Sequence, residues 1–120
     1  MKRKDFEIKF YEGILKHRPN FVNVLISLGD AYTKKGFYKE GLVLDSKMVT
    51  LRPEDPYANY NLACSLALLK QLDKSLEVLK RAILFGYDDF SYMMKDEDLE
   101  NLKKSPGFKD FYRKLQKMKL

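Results

Sequence analysis

His17, Cys64 and the acidic run Asp96-Glu97-Asp98 with Glu100 are the side chains whose types could do chemistry in this chain. A thiol and an imidazole can form a nucleophile and its base, and clustered carboxylates can hold a hard cation. Their surroundings argue against each role. His17 is the single histidine, so no His-rich metal site can be built. It sits beside Pro19 where a helix should end, and there a cationic imidazole favours the helix dipole. Cys64 has no second cysteine for a zinc motif or a redox pair, and its place inside a helix reads as a small buried thiol. The four acids lack the glycine and the spacing of a calcium loop. They read instead as capping and first-turn residues of a helix. No Gly-rich phosphate loop, Ser/His/Asp set or H-E-x-x-H motif occurs. No catalytic, cofactor or metal residue is therefore assigned, and the expectation is a protein that is not an enzyme.

Aromatic side chains are frequent, eight Phe and eight Tyr, and most fall at helical spacing. Tyr57 and Tyr60 do not share the stripe of Leu62 and Leu66 and point to another face. Two readings stay open for them: a binding surface, or packing beneath the C-terminal helices.

The elements that must position these residues repeat every 34 positions. Leu28-Gly29-Asp30-Ala31-Tyr32 is matched by Leu62-Ala63-Cys64-Ser65-Leu66, and Pro19 by Pro53. A period of this length marks stacked helical hairpins, none able to bury its apolar face alone. Apolar spacing predicts helices over Lys4–His17, from a cap at Asn20 to Gly36, and over Tyr38–Leu51, Tyr57–Leu69 and Asp73–Phe85. Shorter ones follow near Asp89–Met94, Asp96–Lys104 and Pro106–Met118. Leu28, Leu62 and Leu66 are expected in the hairpin cores. Small residues at Gly29, Gly41 and Ala63 suit close helix crossing, whereas Gly13 has no such account.

The repeat resembles the tetratricopeptide family. Counting from Val22, Leu25, Leu28, Gly29, Tyr32, Gly41, Met48 and Pro53 stand at the family's signature places; counting from Pro56, Leu62, Ala63, Leu66, Ser75, Leu79 and Ala82 do. Asp45, Asn59 and Tyr87 depart from the pattern. Asp96-x-Asp98-Leu99-x-x-Leu102-x-x-x-Pro106-x-Phe108 is similar to the end-of-group module that closes many bacterial repeat proteins. The resemblance implies an all-α, right-handed helical-hairpin solenoid. It would hold a half repeat over 1–20, full repeats over 22–55 and 56–89, and a C-terminal helical cap over 90–120. It also implies a peptide groove lined by Asn23, Ile26, Asp30 and Thr33, then Tyr57, Tyr60, Cys64 and Ala67. The lysine, asparagine and arginine by which chaperone-tail binders of the family clamp a carboxylate are replaced here by Ile26, Asp30 and Cys64. Carboxylate-terminal partners are disfavoured.

Composition fits one domain, 45% hydrophobic and 33% charged, which is globular rather than disordered. No apolar run approaches the ~20 residues that span a bilayer, so no membrane role is expected. The basic start has no apolar signal region behind it, and the lone cysteine suits a reducing cytoplasm. Charge is uneven: residues 1–20 carry net +3, residues 103–120 net +6, and the middle net −3. The first expectation is thus a scaffold or adaptor for a protein or peptide. The runner-up is a nucleic-acid binder using the basic last helix, and a third reading is a self-associating module. Phe6, Ile8, Phe10 and Tyr11 form an apolar end predicted to be covered, by a second copy across a two-fold axis or by another protein.

Overall fold

The computed structural model describes residues 3–118, and among them every regular element is helical. Five long helices come first: α1 Phe6–His17, α2 Val22–Lys35, α3 Tyr38–Leu51, α4 Pro56–Leu68 and α5 Leu72–Leu84. A closing segment follows: α6 Phe90–Lys95, a 3₁₀ turn Glu97–Leu99, α7 Glu100–Lys103 and α8 Pro106–Lys117. Each long helix packs on the next in sequence, and the closing segment lies on α4 and α5. None of the described helices is long and apolar enough to cross a membrane.

Local chemistry sets the boundaries. The Asp5 carboxylate accepts from the Ile8 backbone N–H at 3.0 Å and starts α1. Asp55 accepts from Tyr57 N at 2.8 Å and Ala58 N at 3.1 Å ahead of Pro56. Ser105 caps α8 through Phe108 N at 3.2 Å, with Pro106 as its first residue. Each of these caps satisfies donors the helix itself leaves free. Asn20 does not cap α2: the capping position is Phe21, without a side-chain bond, and the Arg18 guanidinium lies 3.9 Å from its ring centre. Helix α5 begins at a Gln71 cap, with Asp73 in its first turn.

The two hairpin turns show how the period is kept by backbone shape. Gly36 ends α2 at φ 82°. Lys70, 34 residues on, takes the same left-handed conformation at φ 61°, although a side chain there is strained. At the crossing of α4 and α5, the Ser75 hydroxyl donates to the Ala63 carbonyl at 2.7 Å, and both residues are fully buried. The closing segment adds Met93, Leu99, Leu102 and Phe108 to the core that α4 and α5 begin. Leu28 and Leu66 are buried, but Leu62 is only partly so, at the edge of that core. The fully buried place goes instead to Ala63, one position on, where α5 comes close.

Candidate functional site

The site begins where α2, α3 and α4 meet. The Asp45 carboxylate reaches across from α3 to Gly29 on α2, where a Cβ would stand at ordinary contact distance, 3.4 Å, from its Oδ1. The Ser65 hydroxyl on α4 donates to its other oxygen at 2.5 Å. Burial pushes the Asp45 carboxyl up to about 6; the Ser65 bond opposes this, and the Asp30 charge adds to it. A half-desolvated carboxylate is thus held between two hairpins.

Tyr60 forms the opposite floor. Its ring stacks on Tyr87, centres 4.2 Å apart and planes 11° from parallel. Its hydroxyl donates to Asp96 Oδ2 at 2.6 Å, and the Cys64 thiol donates to the same oxygen at 3.7 Å. The other oxygen of Asp96 accepts from Asp98 N at 3.0 Å and starts the 3₁₀ turn. Asp96 is therefore buried by α4 and the closing segment together. Tyr57 meets Tyr87 edge-on at 5.9 Å and Tyr92 tilts toward Tyr60 at 6.4 Å. These two rings stay open to solvent, 64% and 55% exposed.

Together these groups enclose an open hollow of about 400 Å³, lined by α2, α3, α4 and the closing segment. Asp30, Thr33, Tyr57, Tyr60 and Cys64 all face it. Ile26 lines a smaller adjoining hollow of about 150 Å³ that shares Asp30, Asp45, Tyr57 and Asn61 with the first. Asn23 is exposed and borders neither hollow, and Ala67 is fully buried in the core. Tyr60 packs beneath the closing segment, whereas Tyr57 stands exposed at the rim.

Burial and neighbouring charge set the ionisation of the groups around the hollow. Burial, then the Asp96 charge, raises the Cys64 thiol well above its ordinary value, so it stays protonated and unreactive. Burial also raises Tyr60, and pushes Tyr87 up to about 12. The Asp96 charge, then burial, raises Tyr92. All remain neutral phenols. Burial, then Asp96, raises Asp98. Five carboxylates line the hollow, Asp30, Asp45, Asp89, Asp96 and Asp98, against one ammonium, Lys34. None of the ion pairs among the described residues involves any of the five. No group of three or more His, Cys, Asp and Glu among the described residues is placed to hold a metal ion. His17 is exposed in the last turn of α1, away from the hollow.

No protein-family model matches the chain, and no solved structure matches it significantly. A curated relative does. A chloroplastic protein of Arabidopsis thaliana is 36% identical over 83 residues, which is 67% of this chain and 25% of that protein. The chain spans about a quarter of the length of the curated relative it matches.

The apolar end differs from expectation at one residue. Ile8 is not part of an open surface: it is fully buried against Leu28, Ala31 and Tyr32. The helix turn places it on the α2 side, where the Tyr32 hydroxyl donates to Glu12 and Lys4 pairs with Glu12 at 2.8 Å. Tyr11 is half-buried beside it. Phe6 and Phe10, stacked with centres 6.1 Å apart, remain 81% and 54% exposed. Asp45, Tyr87, Asp89, Tyr92, Asp96 and Asp98 line the hollow without being among the groove positions that the repeat resemblance implies. The signal for Asp45 and Tyr87 was present, since both break the repeat.

Proposed function

We propose that this chain is a tetratricopeptide-type module, a right-handed solenoid of a half repeat, two full repeats and a closing cap. It acts as a non-enzymatic adaptor that receives a peptide or protein segment in the hollow between α2, α4 and the closing segment. One observation carries this: side chains from four separate parts of the sequence converge on one open hollow with a rigid, hydrogen-bonded floor. Hollows of ~300–1,000 Å³ with a few convergent polar groups are the usual form of a binding site. The protonated thiol and neutral phenols supply contacts rather than a nucleophile. The lone thiol suits a reducing compartment, and we place the protein in the cytoplasm.

A pull-down tests the adaptor reading. The wild-type chain, a Tyr57→Ala variant and a variant reversed on α8, Lys109→Glu with Lys117→Glu, are compared with and without nuclease treatment. Partners held by the wild type and the α8 variant but lost by Tyr57→Ala are expected. Retention that depends on α8 and disappears with nuclease would move the assignment to nucleic-acid binding. Lys109, Arg113, Lys114 and Lys117 favour that second reading, although Arg113 and Lys114 already pair with Asp110 at 3.2 Å.

A further inference from the structure

We propose that the hollow selects a peptide segment carrying a lysine or arginine side chain, with an apolar residue close by in the same segment. This rests on the hollow being a peptide site and adds what it recognises. The chain as a whole carries +6, yet this surface gathers five carboxylates around one ammonium. They come from α2 (Asp30), α3 (Asp45), the start of α6 (Asp89) and the 3₁₀ turn (Asp96, Asp98). Carboxylates bordering one hollow with a single ammonium, Lys34, repel one another, and an incoming cation offsets that repulsion, although Asp96 already engages both oxygens with Tyr60, Cys64 and the Asp98 N–H. The exposed rings of Tyr57 and Tyr92 stand at the same mouth, and a cation over a tyrosine face is attracted by its quadrupole. Carboxylates beside open aromatic faces thus form a cation seat. Phosphate-bearing ligands would be repelled from it.

A single small cation would leave the adjoining hollow unused. That hollow continues from the first through Asp30, Asp45 and Tyr57, and adds Ile26, Met48 and Ala58 together with Arg52 and Asp55, which pair at 4.0 Å. A chain crossing both would set a basic side chain among the carboxylates and an apolar one against Ile26. The basic α8 of a second copy is the competing occupant. It is a rigid helix, however, whose Arg113 and Lys114 are already paired. A free segment fits better.

The probes are three capped peptides, Gly-Ser-Leu-Gly-Lys-Gly-Ser and its Lys→Gln and Lys→Glu versions, titrated into the full chain and followed by the ring and amide resonances of Tyr57 and Tyr92. The lysine peptide should saturate these signals. Added salt should weaken its binding, and Asp30→Asn with Asp45→Asn together should weaken it about tenfold or more. The glutamate peptide should leave the signals unmoved. Equal binding of the glutamine peptide at the same residues would overturn the charge selection and leave the peptide groove standing. Shifts confined to other surfaces, or none with any peptide, would overturn both. Shifts at Tyr57 and Tyr92 that grow with protein concentration alone would give the site to a second copy and end the proposal. The variants' thermal midpoints, measured alongside, separate lost binding from lost folding.

Discussion

Replacing Asp45 by asparagine should make this protein more stable at neutral pH. The substitution keeps the shape and an acceptor for the Ser65 hydroxyl, and it removes the charge. In the folded chain the carboxyl rises from 3.8 to about 6, chiefly because it is buried. The charge that acts on it is Asp30 on α2, which adds to the rise, while the Ser65 hydroxyl on α4 opposes it. Its folded pKa exceeds its unfolded one, so the native state binds more protons between those values. Stability must therefore fall as pH rises from about 4 to about 6, and the full cost persists above that. About two units at ~1.4 kcal/mol each give roughly 3 kcal/mol as the upper bound. The asparagine variant escapes this cost, and its midpoint at neutral pH should rise by up to about 10 °C for a domain of this size. Urea unfolding of both proteins from about pH 4 to about pH 8 provides the measurement. The difference between them is the relevant quantity, because Asp98 shifts upward as well while Asp5, Glu12 and Asp110 shift downward and tilt both curves the other way. Curves that run parallel across this range, or an asparagine variant less stable at pH 7, would refute the placement of a desolvated charge at this position.

Three further outcomes follow from the packing. Lys70→Gly should stabilise the chain by about 1 kcal/mol, since a left-handed residue with a side chain costs ~1–2 kcal/mol; calorimetry of the variant checks it. Leu99→Ala should cost about 2–5 kcal/mol in chemical denaturation, because Leu99 is fully buried where the closing segment meets α4 and α5. Sedimentation at rising concentration should show the wild type self-associating through Phe6 and Phe10, and a Phe6→Ser, Phe10→Ser variant remaining monomeric.

The helices were legible because their signals are local. Apolar spacing, Pro56 and Pro106 at first positions, and Gly36 at a stop mark elements without reference to anything distant. The failures are equally physical. Residue type alone points to Asn20 as the cap of α2, but Phe21 occupies that position without a side-chain bond, its ring under the Arg18 guanidinium. Leu62 was assigned to the core by period, yet the side of α4 that α5 covers most closely belongs to Ala63. Spacing divides the apolar residues of α1 into two adjacent ribbons, and the one with Ile8, Tyr11 and Leu15 packs on α2, which removes Ile8 from the end that Phe6 and Phe10 leave open. The hollow needed contacts more than thirty residues apart, Tyr60 with Asp96 above all, and no local pattern encodes them.

The residues that break the repeat were the informative ones. Asp45 and Asn59 stand where the repeat expects bulk, and Tyr87 where it expects proline; a purely structural sequence has little reason to give those up. Each has a specific use. Asn59, fully buried, donates from its amide to the Pro53 carbonyl at 3.0 Å and the Asp55 carbonyl at 2.9 Å, and so ties down the link from α3 to α4. Tyr87 stacks on Tyr60 and fixes the ring whose hydroxyl holds Asp96. Asp45 brings a charge into a place that apolar packing would make more stable, against Gly29 of α2. A stabilising Asp45→Asn variant that also loses the lysine peptide would join the two halves of the argument: the fold would then be carrying a destabilising carboxylate because its ligand requires one.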